Sequence, residues 1–571
     1  MKLVRNRKLG SSSAVAFLLA SAAFVLSPAT PRASAQTACG GSGGPDIIVG
    51  DITGPANYAS SGTLEALSLG TTSCNMGTAE VSWQANTNKH PVIGGDLYRY
   101  KVVNGSGRFE QLGMSWVKHG FFALSQNFCC TCSATDGSTL GVGCSDPYTA
   151  SGNGTQSELG PRYVVSAHTG YFPYPATHPT GPNVGRIQVE IADLEPSNPS
   201  GTRFFGSAQY VTADDAAAGN QDNNVSYREL TVAGSDTAWN FGLTGTTQQQ
   251  VPAIQAWSTC ETGVTTQHVR VPNEGLLILG YKATDLGGGL FHYEYALYNM
   301  NSDVAVGSFS IPVPYGVTVT NVGFHGVVHR GGDGYGGIDQ DGTDWNAEQS
   351  GGLLTWSTVP FASNPNANAI RWGTTYNFRF DADAAPTIDT IGIGTFKGAG
   401  LVTTTAAVPT ESLAVDAYCY GDSASPVACP CGNSGAFEHG CENSSATGGA
   451  RAWASGSLSP DQLVITSSGE RPTAFSLFLQ SSSFVVAAPY GDGLRCISGA
   501  LKRIAAKNAV GGTVSYPQGT ELGIRARSAA LGDTIPPGGV RYYQVVYRDA
   551  VSTFCPPNTF NASNALAIVW P

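Results

Sequence analysis

Thirteen cysteines stand in two groups behind a leader that reads as an export signal, which points to a disulfide-stapled extracellular chain. Lys2, Arg5, Arg7 and Lys8 precede an apolar stretch at 14–26, and Ala33-Ser34-Ala35 fits a small-x-small cleavage site. The expectation is a signal peptide over 1–35 and a secreted product, at the cell surface or outside the cell, with the periplasm as the alternative. The stretch is too short to span a bilayer and nothing downstream reads as a stop-transfer helix, so no transmembrane anchor is expected in the mature chain. Cys39, Cys74, Cys129, Cys130, Cys132, Cys144 and Cys260 form the first group; Cys419, Cys429, Cys431, Cys441, Cys496 and Cys555 form the second. All thirteen are disulfide candidates. The second group is even, as suits a separately stapled module; the first is odd, so one thiol there is free, pairs across domains or chains, or binds something.

Composition narrows the fold. Charged residues are only 12% of the 571, while Gly alone numbers 72, and the Leu-Glu-Lys-Ala pattern of long helices is almost absent. The net charge of −11 becomes more negative once the basic leader is removed, which argues against nucleic acid or an anionic membrane as a partner. The expected class is all-β: multidomain β-sandwiches, jelly-roll or Ig-like, with long Gly-rich loops and a small disulfide-stapled C-terminal β domain.

Strand-like runs at 80–83, 97–103, 163–166, 186–191 and 202–205 are separated by Gly, Asn, Asp and Pro, with a short helix expected at 115–125. Together with a flexible start at 37–45 they define an N-terminal β-rich domain with the cysteine cluster over 36–250. From 251 to 397 the runs at 275–282, 291–298, 308–313, 317–324, 376–381 and 389–394 read as a β-sandwich. The composition of 398–417 is that of a linker. The six-cysteine β domain then fills 418–571, with strands at 462–466, 474–479, 512–516, 540–547 and 565–570. No fixed-period repeat argues for a solenoid or propeller.

The runs FHYEYALYNMNSD (291–303), NPNANAIRWG (364–373) and NFRFDAD (377–383) resemble a β-rich secreted family of planctomycete-type bacteria. CPCGN (429–433), HGC (439–441), GDGLRC (491–496) and RYYQ (541–544) resemble a module that recurs at the ends of exported proteins of the same bacteria. The resemblance implies secretion and β architecture. The family has no established activity, so it carries over no catalytic residue.

Several clusters hold side chains suited to chemistry. Cys129, Cys130, Cys132 and Cys144 with His119 have spacing that could hold zinc or copper, but export favours disulfides. The Gly-rich stretch holding Asp333, Asp339, Asp341, Asp344 and Glu348 is the candidate metal loop, with Ca²⁺ as the candidate cofactor; the alternative is a solvated acidic turn. His325 and His329 form an H-x-x-x-H pair, but on a strand the imidazoles would lie about 13 Å apart, unlike a helical zinc-protease pair. Asp214 and Asp215, beside the polar run at 219–224, could be paired acids for glycoside hydrolysis, or a hydrogen-bonded loop. The G-x-S-x-G match at 40–44 has no preceding strand to make it a nucleophile elbow.

No catalytic or cofactor-binding residue is therefore assigned. The leading expectation is an exported, non-enzymatic cell-surface or extracellular-matrix protein with a role in surface structure, attachment or binding, its partners polysaccharide or other surface proteins. The alternatives are a secreted hydrolase of extracellular polysaccharide, combining the acidic loop with His325 or His329, and a carbohydrate-binding protein that displays its aromatic residues.

Overall fold

Buried β-branched and aromatic runs, rather than helices, organise the chain. The computed structural model describes residues 41, 43–175, 179–194, 201–236, 238–314, 317–410, 415–456, 458 and 461–570. The expected signal peptide, its cleavage site and Cys39 lie outside the described residues. Among the described residues the longest α-helix, Ile524–Ala530, has seven residues. The strand pairs between named strands are antiparallel, and the all-β class holds.

The first sandwich opposes two sheets. One contains the long hairpin Ile47–Ser61 and Leu64–Asn75, flanked by Ile187–Glu190 and Ser145–Tyr148. The other runs Ala238–Gln248, Val225–Ser235, Arg203–Val211, Val92–Val103, Val117–His119 and Leu159–Gly160, with Ser106–Met114 also paired to Val92–Val103. Ile47, Val49, Leu67, Leu69, Leu97 and Tyr210 meet between them.

In the second sandwich, Thr265–Arg270, Leu276–Gly287, Leu290–Asn299, Thr374–Ala382 and Val319–His325 form one sheet. Asn346–Ser350, Leu353–Ser357, Val306–Pro312, Pro386–Thr395 and Leu401–Pro409 form the other. Tyr293, Tyr295, Phe309, Trp356, Phe378 and Phe380 fill the space between. The run Leu276 to Leu279 is apolar throughout because both its faces are covered. Leu277 and Leu279 enter this core, while Leu276 and Ile278 pack with Tyr98, Phe109, Phe205 and Trp257 of the neighbouring region. The regions expected as separate domains on either side of residue 250 thus share a core.

The third sandwich sets Val415–Tyr418, Phe560–Val569, Val540–Arg548, Phe475–Ser481 and Lys502–Asn508 against Arg451–Ser455, Val464–Ser468 and Thr513–Tyr516. Its core holds Ile465, Phe478, Tyr543, Tyr547, Ile568 and Trp570. A hairpin, Ser483–Tyr490 with Gly493–Ser498, stands as a separate two-stranded sheet.

Three local expectations change. Leu401–Pro409, expected as part of the 398–417 linker, pairs along Pro386–Thr395 as an edge strand. Its Thr and Val content suits a pleated surface as readily as a linker. The helix expected at 115–125 is replaced by the strand Val117–His119 followed by irregular chain. The strand expected at 163–166 is a 3-10 turn, Arg162–Val164, following Pro161. There Arg162 turns inward to donate to Ser115 O, Gly95 O and Asp96 Oδ1.

Candidate functional site

The acidic stretch does not close around a common point. Asp333 is buried: His329 Nδ1 lies 2.7 Å from its Oδ2, and its Oδ1 accepts the Gln340 amide at 2.9 Å. Asp339 Oδ1 accepts the Gly332 amide, and Asp341 Oδ1 accepts the Thr343 amide and hydroxyl at 2.9 and 2.6 Å. Asp344 and Glu348 are exposed on either side of buried Trp345, Glu348 within a strand. Among the described residues, no three His, Cys, Asp or Glu side chains gather as a metal-holding group. These carboxylates act mainly as turn acceptors, because closely spaced Asp and Gly satisfy their own backbone first. His325 and His329 separate as well: His325 Nε2 lies 3.1 Å from Gln111 O, while His329 Nε2 lies 3.3 Å from the Tyr376 hydroxyl.

The cysteine cluster is covalent. Cys74 pairs with Cys129 and Cys132 with Cys144, and Cys130 is disulfide-bonded too. The sulfurs proposed as thiolate ligands are therefore engaged. His119 Nδ1 sits 2.9 Å from His90 Nε2 instead. The odd thiol is Cys260, half-buried, which accepts from Arg203 Nη1 at 3.2 Å and whose pKa burial pushes up. In the second group Cys419 pairs with Cys496, Cys429 with Cys441 and Cys431 with Cys555.

The acid pair at 214–215 joins segments. Asp214 Oδ2 accepts the Ser82 amide at 2.7 Å; Asp215 accepts the Ile47 amide at 2.9 Å and Asn224 Nδ2 at 2.8 Å. Burial pushes the pKa of Asp215 up to about 7, and that of Glu470 likewise to about 7. Burial also raises Asp96 and Asp146 to about 6. Each of these acids is harder to ionise folded than unfolded. Through these four acids the folded chain binds more protons between about pH 4 and 7. This outweighs the opposite effect of His90, whose pKa burial lowers to about 4, so stability falls as pH rises through that window. The thermal midpoint of calcium-free protein is expected to rise from about pH 7.5 to about pH 5.5. A flat or falling midpoint over that range, measured by calorimetry, would contradict this.

A buried ionic layer joins the first two sandwiches. Arg99 and Lys101 meet Glu110, Arg108 Nε reaches Glu294 at 3.0 Å, and Glu294 is 1% exposed. His292 stands between two acids, its Nδ1 2.6 Å from Asp381 Oδ1 and its Nε2 3.0 Å from Glu294 Oε2. Burial opposes its charge, but bonding to Glu294 and Asp381 outweighs burial and raises its pKa. Gln111 donates to Asp96 Oδ1 and Gly373 O and accepts the Thr375 amide, while Asn377 donates to Phe109 O. With both ring nitrogens of His292 held by carboxylates, the layer acts as a polar adhesive between sheets.

A feature that sequence reasoning missed lies in the terminal module. The hairpin strand Ser483–Tyr490 and the edge strand Val415–Tyr418 bound an open cleft of about 470 Å³. That is the size of sites which take a small molecule or a few side chains. Its walls are mostly apolar, and Phe437, Phe484 and Val486 are 77%, 59% and 72% exposed. Most of its polar groups have internal partners. The Tyr418 hydroxyl donates to Cys496 O, that of Tyr420 to Ala417 O, and Asp422 accepts the amides of Ala424 and Glu438. Glu438 accepts from Arg451 Nη2 at 2.7 Å. Cys419 and Glu438, both on the wall, hold positive φ (65° and 60°), a conformation that non-glycine residues keep only where their surroundings impose it. Ser483–Tyr490 pairs only with Gly493–Ser498 among the described strands, and the register skips Val485 to Ala487. The sequence signal was FVVAA at 484–488, a continuous apolar run in a strand with one partner.

No protein-family profile matches this chain, and no curated protein matches it.

Proposed function

We propose that the chain is an exported, non-catalytic β-sandwich protein of the cell surface or extracellular matrix, and that its disulfide-stapled terminal module is the unit that attaches it. The observation that carries this reading is the apolar cleft beside the edge of Ser483–Tyr490 that pairs with no other described strand. The occupant is an extended polypeptide segment with apolar side chains, supplied by another surface protein. A free strand edge offers backbone hydrogen bonds to such a segment, and the cleft offers space for its side chains. Sugar recognition fits less well, because the cleft's hydroxyls and acids are mostly bonded internally. The leader and the bridges support export, and the resemblance of the terminal motifs to a recurring module supports attachment.

The test is rebinding of purified protein to producing cells stripped of it. Wild type is expected to rebind, and Phe437→Ala/Phe484→Ala to rebind at least about tenfold more weakly, as loss of two aromatic anchors implies. Protease treatment of the cells should abolish rebinding. If the double variant rebinds as wild type does, the cleft is not the attachment site. If rebinding survives protease but not periodate, the partner is a glycan.

A further inference from the structure

Asp492 occupies the turn between the two strands of the cleft hairpin, in the run Gly491-Asp492-Gly493. Its side chain is wholly buried, and among the described residues neither carboxylate oxygen has a hydrogen-bond partner. A buried carboxylate without donors is strongly disfavoured. Protonation alone does not resolve this, because a carboxylic acid still needs an acceptor for its O–H.

A second wholly buried carboxylate, Asp549, lies across the same strand start. The Asp492 amide donates to Phe560 O at 2.8 Å and the Asp549 amide to Thr559 O at 2.9 Å, so consecutive carbonyls tether the two residues. The loop at 442–444 bridges the gap between them. Ser444 donates its amide and its hydroxyl to Asp549. Asn433 Nδ2 links Glu442 O to Asp492 O, and Asn561 Nδ2 also donates to Glu442 O. The facing cation is Arg471, whose Nε is 3.6 Å from Asp549 Oδ1. It addresses Asp549 and leaves the Asp492 oxygens without a partner.

We propose that Asp492 and Asp549 bind a hard divalent cation, Ca²⁺ by preference, with further oxygens from the loop at 442–444 and water. Two carboxylates beside hydroxyl and carbonyl oxygens, with neither thiolate nor imidazole, form a donor set for calcium rather than for zinc or copper. The ion would fasten the hairpin turn to the start of Phe560–Val569. This proposal does not depend on what fills the cleft.

The full mature chain is stripped with EDTA, dialysed and titrated with CaCl₂, and followed by metal analysis and thermal unfolding. Wild type is expected to retain about one Ca²⁺, with the terminal module's midpoint rising by about 5–10 °C at a calcium concentration near 100 Kd. Asp492→Asn should lose both responses while melting, in EDTA, no lower than stripped wild type, which shows that it folds. Asp549→Asn should weaken the response as an independent check. A wild type that binds no Ca²⁺ and melts identically with and without it overturns the proposal. So does Asp492→Asn with a wild-type calcium response, which would place the ion elsewhere.

Discussion

Replacing Cys431 and Cys555 together by serine is expected to lower the stability of the terminal module by about 4–5 kcal/mol. The bridge between them spans 124 residues, whereas Cys429–Cys441 spans 12. Cross-linking removes conformational freedom from the unfolded chain, and the effect grows with the logarithm of the enclosed loop, so removal of the short bridge should cost only about 3 kcal/mol. Cys555 is buried, and its replacement by a hydroxyl adds to the loss. The two double variants should be compared by denaturant titration at a shared slope. If the short-bridge variant proves the less stable, native packing rather than chain closure governs this module.

The second large effect is expected at Glu294. It sits 1% exposed between Arg108 and His292 in the layer that joins the first two sandwiches. Glu294→Ala leaves a buried guanidinium and a histidine facing each other without their shared counter-charge, and breaking a buried pair in this way costs about 3–5 kcal/mol. The contacts that share this layer, from Gln111 to Thr375 and from Asn377 to Phe109, should loosen with it. Hydrogen exchange is therefore expected to accelerate in both Ser106–Met114 and Thr374–Ala382. Acceleration confined to the second strand would mean that the sandwiches hold together without the ion pair. Arg108→Met combined with Glu294→Met should be less destabilised than Glu294→Ala, because it removes both charges while keeping volume.

Residues whose burial is local were legible as sequence. Tyr293, Tyr295 and Leu297 alternate with Glu294, Ala296 and Tyr298 because the strand presents one face to the sandwich core and the other to the neighbouring sheet. The six terminal cysteines announced a stapled module because their number and spacing need no tertiary information. The hairpin Ile47–Ser61 with Leu64–Asn75 was harder to see. Its first strand carries Gly54-Pro55 and small polar residues, and its register shifts three times, so pairing rather than propensity holds it extended. The ionic layer was hidden for a different reason. Nothing beside Arg99, Lys101, Arg108 and Glu110 in the sequence marks their charges for burial, and Glu294, which pairs with Arg108, comes from far along the chain. The unpartnered oxygens of Asp492 are likewise a property of packing, which a Gly-Asp-Gly turn does not disclose.

The shared layer also sets where the gene can be cut and rejoined without harm. A recombination joint near residue 250 would part Arg108 from Glu294, Gln209 from Met300 and Arg162 from Gly373, so the halves of a chimera would inherit charges shaped for a lost neighbour. A joint after Pro409 divides no described disulfide, since the pairs lie within 74–144 or within 419–555. The first two sandwiches should accordingly be inherited as a pair, and the terminal module should be free to travel to other chains.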